Sequence, residues 1–181
     1  MSRVSERAVV NAVVSVSTMD LRQKEALADE LFRAQPNMFG SVLVMHRMGV
    51  SPEKMDFALN LLFICFQAMK EAGLTWPLIT EAEQDKQMAR YVAAVRFGED
   101  LSPAQSERAM MQYLDAHPER PLLAYITTEL AKWLGSIAPD ESDKYVMLGC
   151  ANLVNCIAFV PMPQPTRRLK SKRHQGILRR S

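Results

Sequence analysis

The side chains that could perform catalysis or bind a metal ion are few in this sequence of 181 residues. The three histidines are His46, His117 and His174, and none of them belongs to a His-Glu-x-x-His motif. None follows a glutamate by three residues, so the sequence lacks the patterns of zinc proteases and of di-iron helical bundles. The histidines therefore predict neither a metal site nor a cofactor.

The three cysteines, Cys65, Cys150 and Cys156, each lie within an apolar stretch. Cys150 and Cys156 are six residues apart, which on a helix places them on different faces and keeps them from sharing a metal ion. An odd number of cysteines without a disulfide framework is typical of a reducing compartment. We predict that all three are small buried apolar side chains in a cytoplasmic protein.

Pairs of acidic residues, which could act as general acid and base, have a structural explanation in this sequence. Glu81 and Glu83 lie in the predicted first turn of one helix, and Asp140 and Glu141 in that of another. Negative charge in a first turn is stabilised by the helix dipole, and Glu83 also completes a capping box with Thr80. The sequence contains no glycine-rich phosphate loop, and we predict a protein without enzymatic activity.

Residues 41–58 carry a pattern that has a functional interpretation. Gly49 lies where a turn glycine belongs, and the positions at which two helices would pack are apolar, namely Val50, Met55 and Ala58. The stretch resembles the helix-turn-helix of bacterial DNA-binding regulators. The residues that this resemblance implies for DNA binding are Arg47, Ser51 and Lys54.

The same stretch also fits two core helices joined by a glycine C-cap and a Ser-Pro N-cap. Its second helix carries Glu53, Asp56 and Phe57 where arginine, asparagine or glutamine would read bases. We adopt the structural interpretation and keep a DNA-binding regulator as the alternative function. Exposure of these three residues beside a basic surface would favour DNA binding.

The distribution of charge is uneven along the chain. All 20 acidic residues precede residue 161, whereas seven of the 22 bases follow it, so the preceding part has a net charge of −5. The seven bases are Arg167, Arg168, Lys170, Lys172, Arg173, Arg179 and Arg180. They predict a disordered tail that is either merely solvated or binds nucleic acid or another polyanion electrostatically.

A third interpretation of the tail joins it to the apolar residues 145–160, which would anchor the protein in a membrane. These sixteen residues are fewer than the roughly 20 that a transmembrane helix needs. Asn152 and Asn155 would also lie unpaired near the centre of the bilayer. A buried core helix is the better interpretation, and the membrane anchor is the distant alternative.

The periodicity of apolar residues and the capping signals predict eight helices and no strand. The central helix begins after Ser51 and ends before Gly73, and it is apolar on nearly every side, so the other helices should pack around it. We therefore expect Phe63→Ala to cost about 3–5 kcal/mol. The predicted helices cover about 4–15, 20–34, 37–48, 51–72, 80–98, 102–116, 122–135 and 140–159.

Periodicity also predicts which side chains point inward. In the second helix these are Leu21, Leu27, Leu31 and Phe32, and in the fifth they are Met88, Tyr91, Val92 and Val95. Buried amides need partners, so the central helix's Asn60 and Gln67 are expected to bond Asn152 and Asn155 or neighbouring groups.

The sequence as a whole predicts a compact all-α bundle of about seven or eight helices over residues 1–160. Residues 161–181 are predicted to form a proline-containing linker and the basic tail. The predicted function is that of a non-enzymatic helical binding protein: an adaptor, regulator or immunity-type partner that acts through protein–protein contacts. The sequence does not name the partner, and it leaves homo-oligomerisation open.

Overall fold

The computed structural model of the protein describes residues 2–99 and 101–163; the predicted disordered tail lies outside the described residues. The described part is all-helical, as the sequence predicts, with eight α-helices and one 3-10 helix at Val44–Met48. The α-helices are α1 Glu6–Thr18, α2 Leu21–Ala34, α3 Pro36–Leu43, α4 Pro52–Glu71, α5 Glu81–Glu99, α6 Pro103–Ala116, α7 Arg120–Leu134 and α8 Asp143–Phe159.

The helix starts are set by capping side chains. The Ser51 hydroxyl accepts the backbone N–H of Lys54 at α4, and the Thr80 hydroxyl accepts that of Glu83 at α5. At α2 the cap is Asp20, which forms a capping box with Gln23. Thr18 lies in the last turn of α1, where its hydroxyl donates to a carbonyl of that helix.

Two glycines end helices by adopting a left-handed backbone. Gly49, after the 3-10 helix, has φ 86°, and Gly73, after α4, has φ 65°. L-amino acids with side chains rarely adopt this conformation, whereas glycine does so without strain. Each glycine therefore reverses the chain at the position that the sequence predicts.

The predicted central helix, α4, packs against α1, α2, α3 and α8. Its face toward α8 and α1 is buried, whereas the opposite face is partly exposed and carries Phe63 and Gln67. Continuous burial is a property of its neighbour α8, in which every residue from Cys150 to Ala158 is buried. The buried apolar side chains of α4 are Met55, Ala58, Leu61, Leu62, Ile64, Cys65, Phe66, Ala68 and Met69.

Two helices are rotated relative to the prediction. In α2, Leu27 and Leu31 are buried as expected, but Leu21 and Phe32 are exposed. In α5, the buried side chains are two glutamines, while the predicted inward face is only partly buried and Val95 is exposed. Apolar periodicity failed there because α5 packs on α8 through amides: the Asn152 side chain of α8 donates to the carbonyl of Gln84.

The amides of α4 do not pair with those of α8. The Gln67 side chain bonds Glu71 one turn further along its own helix, and Asn60 is half-buried on the outer face of α4. Asn152 and Asn155 face α5, α6 and the corner after α6 instead. The expected burial of the two α8 amides is confirmed, and their expected α4 partners are wrong.

Within the described part of the chain, no helix combines the length and the apolar character that crossing a membrane requires.

The burial pattern of α4 predicts which of two neighbouring substitutions lowers the free energy of unfolding more. Leu62→Ala should lower the free energy of unfolding by about 2–5 kcal/mol, because it empties a fully buried site. Phe63→Ala should fall below the roughly 3–5 kcal/mol of a fully buried aromatic, because part of its ring remains in water. Urea denaturation of both variants measures the two losses of unfolding free energy. A larger loss for Phe63→Ala than for Leu62→Ala would contradict the buried and exposed faces assigned to α4.

Candidate functional site

The corner between α6 and α7 is built around a fully buried carboxylate. Glu119 has no exposed surface, although it lies in the proline-flanked sequence His-Pro-Glu-Arg-Pro. Its two oxygens accept the backbone N–H groups of Arg3 and Val4 at 2.9 Å each, and also the hydroxyl of Ser2. A buried carboxylate must be hydrogen-bonded to be tolerated, and here the segment before α1 supplies the donors.

Arg3 continues this connection to the end of α8. Its Nη1 donates to the carbonyls of Ile157 at 3.2 Å and Val160 at 2.8 Å, at the C-terminal end of that helix. Such carbonyls have no partner within the helix, and positive charge there also complements the helix dipole. The segment before α1, the start of α7 and the end of α8 are thus held at one point.

His117 links the same corner to the interior. Its Nδ1 accepts the backbone N–H of Glu119 at 3.1 Å, so the ring proton must reside on Nε2, which donates to the Asn155 side-chain oxygen at 3.1 Å. The Tyr113 hydroxyl donates to that oxygen at 2.9 Å. Burial lowers the pKa of His117 below its usual 6.5 despite these bonds, so the ring is neutral near pH 7.

A groove lies between α6 and α7, beside this corner. Its cavity volume is about 250 Å³. Asp115 and Arg120 form an ion pair of 3.0 Å where the two helices are joined. We call this the α6–α7 groove, and its lining consists of Met111, Leu114, Asp115, Arg120, Ala124, Thr127 and Thr128.

The wall contributed by α6 is unusual for a helix of this bundle. None of the residues from Pro103 to Ala116 is buried, although α6 carries apolar side chains at helical spacing. Met110 and Met111 are 49% and 54% exposed. The hydroxyls of Thr127 and Thr128 on the other wall already donate to carbonyls within α7, so they need no partner from a ligand. The groove can therefore accept apolar side chains.

The structure places the three residues of the helix-turn-helix alternative in different environments. Arg47 is exposed on the 3-10 helix, and Ser51 is the exposed cap of α4. Lys54 is buried, with its ammonium 2.5 Å from both Asp140 and Asp143. These carboxylates raise the pKa of Lys54, and the ammonium in turn lowers the pKa of Asp140 to about 2.

The surroundings of α4's first turns are not basic. Glu53 and Asp56 are exposed, and Phe57 is half-buried with its ring stacked on Trp133 at 4.7 Å. The one base in these turns, Lys54, is already paired with two carboxylates. DNA binding at this helix stays a prediction, and it draws no support from the charge around it.

The remaining sequence-predicted residues fall into two groups. The seven bases from Arg167 to Arg180 lie outside the described residues. The three cysteines are buried and unpaired, as predicted, and burial raises the pKa of Cys150 and of Cys156 to about 12. Thiols with such pKa values are protonated and unreactive at neutral pH, which agrees with a packing role.

Sequence reasoning missed the buried roles of Glu119 and Lys54 and the α6–α7 groove. The partners of Glu119 lie 115 to 117 residues away in the sequence, and those of Lys54 lie 86 and 89 residues away. No local pattern reports such contacts. The exposed surface of α6 did leave a signal, because the adjacent Met110 and Met111 point about 100° apart around the helix and cannot both face the core of the bundle.

Comparisons with protein-family models, with curated proteins and with solved structures found no match for this chain.

The buried ion pair of Lys54 gives the first prediction for this region. Lys54→Met should destabilise the protein, because it leaves the buried Asp143 carboxylate without its cation. The matched control is Lys70→Met, also on α4, which removes a partly exposed ion pair with Glu30 of α2. Thermal unfolding should show a clearly larger decrease in Tm for Lys54→Met, and equal decreases would contradict a buried role for Lys54.

His117 gives a prediction about pH. Its pKa is lowered in the folded state, so the unfolded chain binds the proton more tightly, and stability should be lost as pH falls from about 6.5 through the folded pKa. Chemical denaturation of the wild type between pH 7.5 and 5 should show this loss. His117→Gln cannot titrate and should show a smaller slope over that range; an unchanged slope would assign the loss to other groups.

Proposed function

We propose that the protein is a non-enzymatic helical binding protein, and that a protein partner inserts the apolar face of an amphipathic helix into the α6–α7 groove. The observation that carries this proposal is the state of α6, which has no buried side chain and presents the exposed Met111 to the groove. An apolar helix face without a covering element is the common form of a helix-binding surface.

The size of the groove favours a macromolecular ligand over a small molecule. Sites for small ligands usually have volumes of about 300–1,000 Å³ and enclose most of the ligand. The α6–α7 groove, at about 250 Å³, is smaller and lies open between two helices. It suits a few side chains of a partner whose remaining surface stays outside.

The chemistry of the walls favours an apolar helix in particular. Met111 and Leu114 are one turn apart on α6, and the α7 wall carries the small side chains of Ala124 and Thr128. Helix-binding grooves take anchors that recur at i, i+3 or i+4, and i+7. Methionine side chains adapt their shape to such anchors because they are unbranched and flexible.

The ion pair where α6 meets α7 supplies orientation. Asp115 and Arg120 are both more than half exposed, so their pairing contributes little to stability. A partner with polar residues at one end of its helix can bond either group without loss of a buried contact. Charges at the rim of an interface act mainly on specificity and association rate.

Two further parts of the proposal rest on charge and on cysteine usage. The basic tail, with seven bases and no acid, supplies an electrostatic contact to an acidic partner or a polyanion. Three buried, unpaired thiols support a reducing location, which we take to be the cytoplasm.

The groove can be tested with a displayed library of random helical peptides. Peptides selected on the wild-type protein should carry apolar anchors with helical spacing, and they should perturb the methyl NMR signal of Met111. Ala124→Trp fills the groove from α7, where Ala124 is exposed, and should weaken binding of the selected peptides at least tenfold. The control is Val14→Trp, at an exposed apolar position on α1.

Equal affinity of the selected peptides for the wild type and for Ala124→Trp would contradict binding in the groove. Failure to select any peptide with apolar anchors would contradict the proposed class of partner. Loss of binding in both tryptophan variants would assign the affinity to another surface.

A further inference from the structure

A second exposed apolar surface lies on α2, far from the groove in the sequence. Leu21 and Phe32 are the two most exposed large apolar side chains of the described residues, at 73% and 60%. They are eleven residues apart, so on a helix they point within about 20° of each other and lie about 16 Å apart along the axis. The half-buried Ala28 lies between them on the same face. We call this the α2 face.

The orientation of Phe32 is supported by a neighbouring ring. Phe39 of α3 meets it edge-on, with ring centroids 6.2 Å apart and an interplanar angle of 72°. This geometry is a favourable one for aromatic pairs. Contact with Phe39 therefore fixes the orientation of the Phe32 ring, although most of the ring is exposed. Leu43, one turn beyond Phe39, extends the apolar surface along α3.

The charges that flank the α2 face are arranged symmetrically. Arg22 and Asp29 are both exposed and lie on the same side of the face, about 90° from Leu21 around the helix. The midpoint of this charged pair along the chain nearly coincides with the midpoint of Leu21 and Phe32, close to residue 26. A two-fold axis perpendicular to α2 at this point would bring each residue of a pair to the level of the other residue of that pair along the helix.

We infer that a second copy of this chain docks on the α2 face, with the two α2 helices antiparallel. In that arrangement Leu21 of one protomer packs against Phe32 of the partner subunit, and the reverse contact follows from symmetry. Antiparallel helices related by a two-fold axis oppose like flanks, so Arg22 meets Asp29 of the partner subunit twice. Opposite charges at both places make the surface complementary to itself, which a surface for an unrelated partner has no reason to be.

The contact that Asp29 makes within its own protomer does not prevent it from pairing with Arg22 of the partner subunit. Asp29 pairs with Arg33 at 3.7 Å, but both side chains are about three-quarters exposed, so the pair is weak and can be shared. Glu25 lies near the proposed axis and is exposed, so it would approach its own copy, and this contact between like charges opposes the two contacts between opposite charges and weakens the dimer. One helix from each protomer forms a small interface, below the roughly 1,200 Å² of stable complexes, so the dimer should depend on concentration.

The first experiment is analytical ultracentrifugation of the full chain over a wide range of concentration. The wild type should pass from monomer to dimer as concentration rises. Phe32→Ser should shift the midpoint to at least tenfold higher concentration, because it removes both symmetric apolar contacts. Val14→Ser is the matched control, at 57% exposure on α1, and should behave as the wild type does.

The second experiment separates self-association from the binding of any other partner. R22E sets two carboxylates against each other at both flanking contacts, and D29R sets two guanidinium groups against each other there. Each variant alone should therefore dimerise less well than the wild type. An equimolar mixture of the two restores opposite charges at both contacts in a heterodimer. The mixture should dimerise more strongly than either variant alone, which no surface for an unrelated ligand would produce.

Three results would overturn the inference: a wild type that stays monomeric at all concentrations, equal effects of Phe32→Ser and Val14→Ser, or no gain on mixing R22E with D29R. The inference is independent of the α6–α7 groove, because none of these variants touches it. Ala124→Trp should leave the dimer unchanged.

Discussion

A helix whose C-terminal half is fully buried can be part of a folded protein only if the carbonyl groups at its end find partners, and this constraint on α8 organises the structure. Nine consecutive residues, from Cys150 to Ala158, lie in the core, with α4, α5 and α7 around them. The first N–H groups and last carbonyls of such a helix lack internal partners. Arg3 supplies partners to two carbonyls at its end, and at its beginning the buried Asp143 pairs with Lys54 and accepts the backbone N–H of Asp140.

The contacts that α8 requires also explain which surfaces remain free for binding. Helices α4, α5 and α7 use their faces to cover it, and α1 covers α4. Helices α2 and α6 make fewer core contacts and keep apolar side chains on the surface. The α2 face and the α6–α7 groove are therefore on elements that lie at the edge of the bundle. A partner there would add burial without disturbing the packing of α8.

The sequence predicted the helices well because caps, glycine stops and apolar stripes are local. Ser51 and Gly73 bound α4 where the sequence placed them. Burial of Lys54 or Glu119 could not be predicted in this way, since a charged residue is buried only where distant partners meet it.

The exposure of Phe32 and Leu21 was missed for the converse reason. An apolar periodicity shows that a face is suited to burial, but only the whole fold decides whether another helix of the same chain covers it. The groove depends on the fact that, among the described residues, no other helix covers the outer side of α6, so it too followed from packing rather than from a motif. The sites are thus less predictable than the fold, because they consist of surfaces that the core does not use.

The connection between Arg3 and the end of α8 has a consequence for synthesis on the ribosome. The acceptor carbonyl of Val160 is made 157 residues after Arg3. At about 5–20 residues per second, this delay is roughly 8–30 s. During that time the nascent chain holds α1 and α4, which pack on each other, without α8 to cover the remaining apolar face of α4. Chaperones that shield apolar segments would therefore have their longest engagement with these early helices, and their release should await the last one.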